Sequence, residues 1–151
     1  MNNKEMELIP LQMEMCEEVY ELAKSRIPEH WSLQGVKDIL KYDNNIYYVV
    51  RLLSTGKVIA FGGIMVIADE AELLNIAVEE EYSRMGIADE LMLQLIKVAK
   101  MQQTYRMLLE VRESNTAAQR LYQKHGFRKL GERKDYYSNP KENAFIMEHV
   151  F

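Results

Sequence analysis

The sequence predicts a single α/β (α+β) domain, and three observations predict it. Stretches with strand-like alternation and stretches with helical recurrence of apolar residues follow one another in the order β-α-α-β-β-β-α-β-α-β-β. The 151 residues, 48% hydrophobic and 28% charged, suffice to bury about 70% of the unfolded surface in one core. Seven Gly and three Pro leave no tract for a linker or a collagen-like repeat, so residues 1–151 read as one domain.

Each element has its own signal. Glu5 to Ile9 alternates and ends at Pro10, a first strand. Leu11, Met15, Val19 and Leu22 recur at helical spacing, with Cys16, Tyr20, Ala23 and Ile27 on the adjoining stripe, and Pro28 stops that helix. Pro28 to Ser32 reads as a loop; Val36, Ile39 and Leu40 predict a short second helix. Asp43-Asn44-Asn45 is a turn before the β-branched and aromatic run Ile46 to Leu53. Ser54-Thr55-Gly56 then closes a hairpin into a long strand, Val58 to Ala68, where Gly62-Gly63 predicts a bulge or a close backbone approach. Ala71 to Val78 is the next strand, and Ile87, Leu91, Leu95 and Val98 mark an amphipathic helix to about Lys100. Arg106 to Val111 is an apolar strand. Ser114 or Asn115 can cap the following helix, and Gly126 suits its C-terminal left-handed position. Phe127 to Tyr137 and Ala144 to Phe151 close the series.

Composition excludes several functions. A net charge of −4 argues against nonspecific binding to nucleic acid or to an anionic membrane. One cysteine excludes an internal disulfide framework and a Cys-rich zinc site. His30, His125 and His149 show no metal-ligand spacing, so no metal is expected. No run approaches the roughly 20 apolar residues of a membrane span. Met1 to Glu7 lacks the apolar stretch of a secretory signal, which points to the cytoplasm.

Chemistry concentrates in three places. Ser83-Arg84-Met85-Gly86-Ile87-Ala88 joins a strand to a helix, where free backbone N–H groups and the helix dipole suit an anion. Small residues at Gly86 and Ala88 would let a phosphate approach; the plainer alternative is an ordinary glycine turn. Glu110 lies near the end of an apolar strand between Leu109 and Val111. It is either a partly desolvated base or an outward Glu paired with a Lys or Arg. Asn115, Ala118 and Tyr122 share one helix face, which can line a ligand groove or serve as a cap and core packing. Trp31, Tyr136 and Tyr137 are substrate-facing or packing aromatics.

Together these segments resemble the GNAT (Gcn5-related) N-acetyltransferase superfamily, and the helix-start segment looks like its pyrophosphate loop. The resemblance narrows along Asn75-Ile76-Ala77-Val78, Leu109-Glu110-Val111-Arg112, Ser114-Asn115, Ala118, Leu121-Tyr122, Gly126-Phe127, Arg133, Tyr136-Tyr137 and Ile146-Met147. That series is similar to the RimI-type ribosomal-protein-alanine acetyltransferases. The resemblance implies a mixed, mostly antiparallel sheet flanked by about four helices. It also implies acetyl-CoA as co-substrate and transfer of acetyl to a protein N-terminal amine, with an alanine-starting ribosomal small-subunit protein as acceptor. In the family's terms Glu110 holds the general-base position and Tyr122 the general-acid position. Ile76, Ala77 and Val78 would offer backbone contacts to the acetyl-pantetheine arm, and Asn115 a side-chain bond to it. Arg84, Met85, Gly86, Ile87, Ala88 and Asp89 would cradle the pyrophosphate. Trp31, Tyr136 and Tyr137 would face the acceptor. Two positions depart: Ser83 stands where the loop usually opens on Gln or Arg, and Asn143 where relatives often carry Asp. A monomer or weak homodimer is expected. The competing readings are a GNAT enzyme for a small amine, such as a polyamine or an antibiotic, and an acetyl-CoA-binding module without catalysis.

Overall fold

β-branched and aromatic runs separated by short polar turns lay down most of the strands, and amphipathic segments between them supply the helices. The computed structural model describes residues 5–151, so part of the segment behind the reading of the N-terminus lies outside the described residues. The strands are β1 (Met6–Pro10), β2 (Asn45–Leu52), β3 (Val58–Ile67), β4 (Glu70–Val78), β5 (Arg106–Arg112), β6 (Arg128–Tyr137) and β7 (Glu142–Val150). The helices are α1 (Cys16–Arg26), α2 (Leu33–Ile39), α3 (Ile87–Met101) and α4 (Thr116–Lys124). The element order is the one expected, and the strands form one sheet in the order β1-β2-β3-β4-β5-β7-β6. β1–β2, β2–β3, β5–β7 and β6–β7 pair antiparallel, while β4–β5 is parallel.

Two expectations shift in detail. The periodic stretch from Leu11 does not become one helix. Leu11 donates its N–H to the Tyr47 carbonyl at 2.9 Å, Met13–Met15 forms a 3-10 turn, and α1 starts at Cys16. Its end falls where expected: Ile27, held extended before Pro28, closes the helix with an N–H to Ala23 O at 2.8 Å. The glycine pair marks a close approach: a Cβ on Gly62 would meet Ile76 and Leu95 side chains at 3.2 Å and the Asn75 carbonyl at 3.4 Å, and Gly63 faces a ring. A Cβ on Gly63 would lie 2.3 Å from the Tyr47 ring, and the irregular register of this hairpin falls at Val50 and Arg51.

The chain forms two compact units. The first runs to Met65 and includes Leu74–Leu95. Alternation along β2 sends Val49 toward α1 and α2, where it packs with Cys16, Val19, Val36, Tyr47 and Phe61. The next residue, Val50, packs instead with Ile59, Ala60, Ile87 and Leu91 at the start of α3. The second unit is Val66–Leu73 with Ile96–Phe151. Along β5, Met107, Leu109 and Val111 are buried, and Arg106, Leu108, Glu110 and Arg112 alternate with them on the other face. On that face Arg106 bridges Glu70 (3.1 Å) and Glu148 (2.9 Å), and Glu148 also accepts from Arg128 at 3.0 Å. These contacts hold Glu148 below the usual carboxylate range, the Arg106 hydrogen bond first and the Arg128 bond next.

Candidate active site

In the first unit the strand-to-helix loop has the geometry of an anion cradle. After β4 a 3-10 turn, Glu80–Tyr82, is closed by the Ser83 hydroxyl donating to Glu80 O at 2.8 Å. Ser83 thus serves the turn. Arg84 (φ 63°) and Gly86 (φ 80°) both take left-handed backbone around Met85, an alternation that turns successive N–H groups toward one side. Gly86 O accepts the Glu90 N–H at 3.1 Å and opens α3, whose leading N–H groups have no intrahelical acceptor. Ile87 is buried and anchors the helix start, whereas Arg84 and Met85 are exposed. Asp89 lies in the acidic first turn, so what it can offer an anion is its backbone N–H and not its side chain. These residues fit a pyrophosphate. On β4, Ala77 is buried and Ile76 and Val78 pack against the α3-side core, which leaves backbone as their contribution to any ligand. The parallel β4–β5 ladder covers only Glu70 to Glu72 with Arg106 to Leu108, although each strand runs further. Trp31 packs its ring 6.0 Å from Tyr47 and 6.1 Å from Phe61 and remains partly buried.

In the second unit a polar cluster surrounds Glu110. Its side chain keeps 24% exposure and pairs with Arg133 Nε at 3.2 Å. Glu110 is therefore partly buried, and it has an arginine partner. The Tyr136 hydroxyl donates to Glu110, and that bond, then the carboxylate's charge, raises the Tyr136 phenol above its ordinary value. Glu72, half-buried on β4, has its carboxyl pushed up by burial and then by the Glu110 charge, with Arg133 offsetting part of it. Tyr136 and Tyr137 stack edge to face at 5.0 Å, and the Arg112 guanidinium lies 4.4 Å from the Tyr137 ring. Asn143 bonds to the backbone of β6. Its Oδ1 accepts the Asp135 N–H at 2.9 Å, where Asp135 (φ 53°) makes the β6 irregularity that precedes Tyr136.

α4 supplies the remaining candidates. Asn115 is the cap, as expected, accepting Ala118 N–H through Oδ1 at 3.1 Å, which leaves its amide NH₂ for a ligand. Gly126 takes φ 93° just past the helix end. Tyr122 lies on the same face, partly buried, its ring 6.0 Å from Phe127. Burial pushes its phenol up to about 12, so it is neutral at any physiological pH. Sequence reasoning missed Glu72. Its signal was an acidic residue between the buried Ala71 and Leu73, and only the β4–β5 register brings it beside Glu110. Among the described residues no group of three or more His, Cys, Asp or Glu side chains could hold a metal ion, and no helix is long and apolar enough to cross a membrane.

Comparison with known proteins gives concordant matches. A family model described as acetyltransferase (GNAT) family matches residues 16–127. A Haemophilus influenzae protein named ribosomal protein bS18-alanine N-acetyltransferase is 34% identical over 141 residues, covering 90% of this chain and 94% of its own. The Escherichia coli (strain K12) protein of that name is 39% identical over 103 residues, 67% of this chain and 70% of its own. The crystal structure of the ribosomal-protein-S18-alanine N-acetyltransferase from Escherichia coli superposes with a TM-score of 0.85 at 28% identity, covering 96% of this chain and 93% of that one.

Proposed function

Since this chain belongs to the acetyltransferase (GNAT) family, a class of acetyl-CoA-dependent N-acetyltransferases, we propose that it acetylates a protein N-terminal amine, the N-terminal alanine of ribosomal protein bS18. The observation that carries this reading is the 34% identity over 90% of the chain to a relative named for that reaction. We assign it to the cytoplasm, where such an acceptor is made.

The site residues give the chemistry a reason. An α-amine has a pKa near 8, so at neutral pH it arrives mostly as ammonium and must lose a proton before it attacks. In this proposal Glu110 takes that proton, directly or through one water. The amine nitrogen then bonds to the thioester carbonyl carbon, and a backbone N–H of Ile76 to Val78 steadies the oxygen as charge develops. Collapse breaks the carbon–sulfur bond, and the Tyr122 phenol, neutral through burial, gives its hydrogen bond and proton to the departing thiolate. The first-turn N–H groups from Arg84 to Asp89 hold the pyrophosphate, with the exposed Arg84 guanidinium adding charge. The Asn115 amide NH₂ donates to the pantetheine arm. Trp31, Tyr136 and Tyr137 line the acceptor, Tyr136 through the same hydroxyl that contacts Glu110.

The test is mass spectrometry of a peptide library incubated with the protein and acetyl-CoA, scoring α-amino against lysine products and reading the first residues. Acetylated N-terminal alanine is the expected product. Lysine-only or small-amine-only acetylation refutes the assignment, and thiol release from no amine at all restores the non-catalytic alternative.

A further inference from the structure

Glu72 pairs in register with Leu108 of β5, and Glu110 lies two residues beyond Leu108. Side chains alternate along a strand, so the two carboxylates share one face of neighbouring strands. Their surroundings differ. Glu110 accepts from Arg133 at 3.2 Å and from the Tyr136 hydroxyl. Glu72, half-buried, makes no hydrogen bond or ion pair among the described residues. The other two cations on that face of β5 have their own partners: Arg106 is held by Glu70 and Glu148, and Arg112 by Glu142 at 3.0 Å. Two carboxylates therefore share one guanidinium, and the group is one positive charge short of neutral. The deficit sits beside the position assigned to the base, where an amine arrives as an ammonium.

We propose that Glu72 is a specificity-determining residue whose carboxylate accepts an N–H of the incoming ammonium, selecting a positively charged acceptor, while Glu110 takes the proton. This rests on the reading of the chain as an amine acetyltransferase, but not on which amine it uses. The arrangement costs the free protein stability. A carboxyl raised above its unfolded value destabilises the fold above that unfolded value, and the cost disappears as pH falls below it. A residue that weakens the empty protein and serves only the loaded one belongs to a binding site rather than to a structural one.

The experiment uses the full chain, its Glu72→Gln and Glu72→Asp variants, acetyl-CoA, an alanine-starting peptide and, in parallel, a short diamine. Thiol release and thermal unfolding are the readouts. Glu72→Gln should raise the acceptor KM about tenfold or more, as the loss of a charge-assisted hydrogen bond does. The KM for acetyl-CoA should hold, the loss should fall on KM rather than kcat, Tm at pH 7 should rise, and Glu72→Asp should recover part of the acceptor affinity. An unchanged acceptor KM, a loss confined to kcat, or a lower Tm overturns the proposal. If the wild-type chain acetylates the diamine alone, the N-terminal reading falls while Glu72 is judged on the diamine's KM. Thiol release with neither amine overturns both.

Discussion

The buried phenol of Tyr122 sets the shape of the pH profile. A pKa of about 12 in place of about 10 biases the group toward its neutral form by about 3 kcal/mol. At pH 9 only about one molecule in a thousand carries a phenolate, against about one in ten for an unperturbed tyrosine. The acid therefore does not titrate within a practical assay range. The acceptor amine does: since it binds as the ammonium and gives its proton to Glu110 in the site, kcat/KM should fall once, through the amine's own pKa near 8, with no second fall up to about pH 10.5. Tyr122→Phe should lower turnover about 10²-fold at every pH without changing that shape, because the substituted group contributes no ionisation of its own in the window. The assay is thiol release at saturating acetyl-CoA from pH 6 to pH 10.5, for both proteins on one peptide. An alkaline fall with a midpoint of 9 to 10 that vanishes in Tyr122→Phe would refute the role of burial. Equal turnover in the two proteins would refute the role of the phenol.

Three further outcomes are expected. Glu110→Gln should cut turnover about 10²-fold or more with acetyl-CoA binding retained, as calorimetry with the cofactor would show; full turnover removes Glu110 from the reaction. Gly63→Ala places a methyl group 2.3 Å from the buried Tyr47 ring and should cost about 1–3 kcal/mol, a fall in Tm of roughly 2–12 °C that should shrink when the same substitution is made in a Tyr47→Ala background. Asn115→Ala loses the α4 cap, about 1 kcal/mol in a denaturant titration, and should also raise the KM for acetyl-CoA; a stability loss with that KM unchanged would leave Asn115 a cap alone.

The element order was legible because each element carries its own period and its own punctuation. Pro28 ends a helix, Ser54-Thr55-Gly56 reverses a strand, and Asn115 caps α4 through its own side chain. Less legible was whatever depends on a second strand. Leu11 has an apolar spacing that suits a helix, yet its N–H finds a carbonyl on β2. The site divides along the same line. The loop from Ser83 to Asp89 could be read locally, since a positive φ at Gly86 and the helix start are both written in consecutive residues. The company Glu110 keeps could not, because Glu72, Arg133 and Tyr136 reach it from strands far along the chain, and Asn143 acts on Tyr136 through a bulge that no periodicity announces.

Glu70, Arg106, Glu148 and Arg128 belong in turn to β4, β5, β7 and β6, so their signs alternate across four neighbouring strands. Such a row works as a vernier. Sliding any one strand by a single residue turns its charge to the opposite face, and sliding by two carries it out of reach of its neighbours. Strands that present like charges side by side have an incentive to slip, and Glu72 beside Glu110 is that incentive, one step along the same face. The alternating row removes it, which is how a repulsive pair can be kept in fixed alignment until a cation arrives between them.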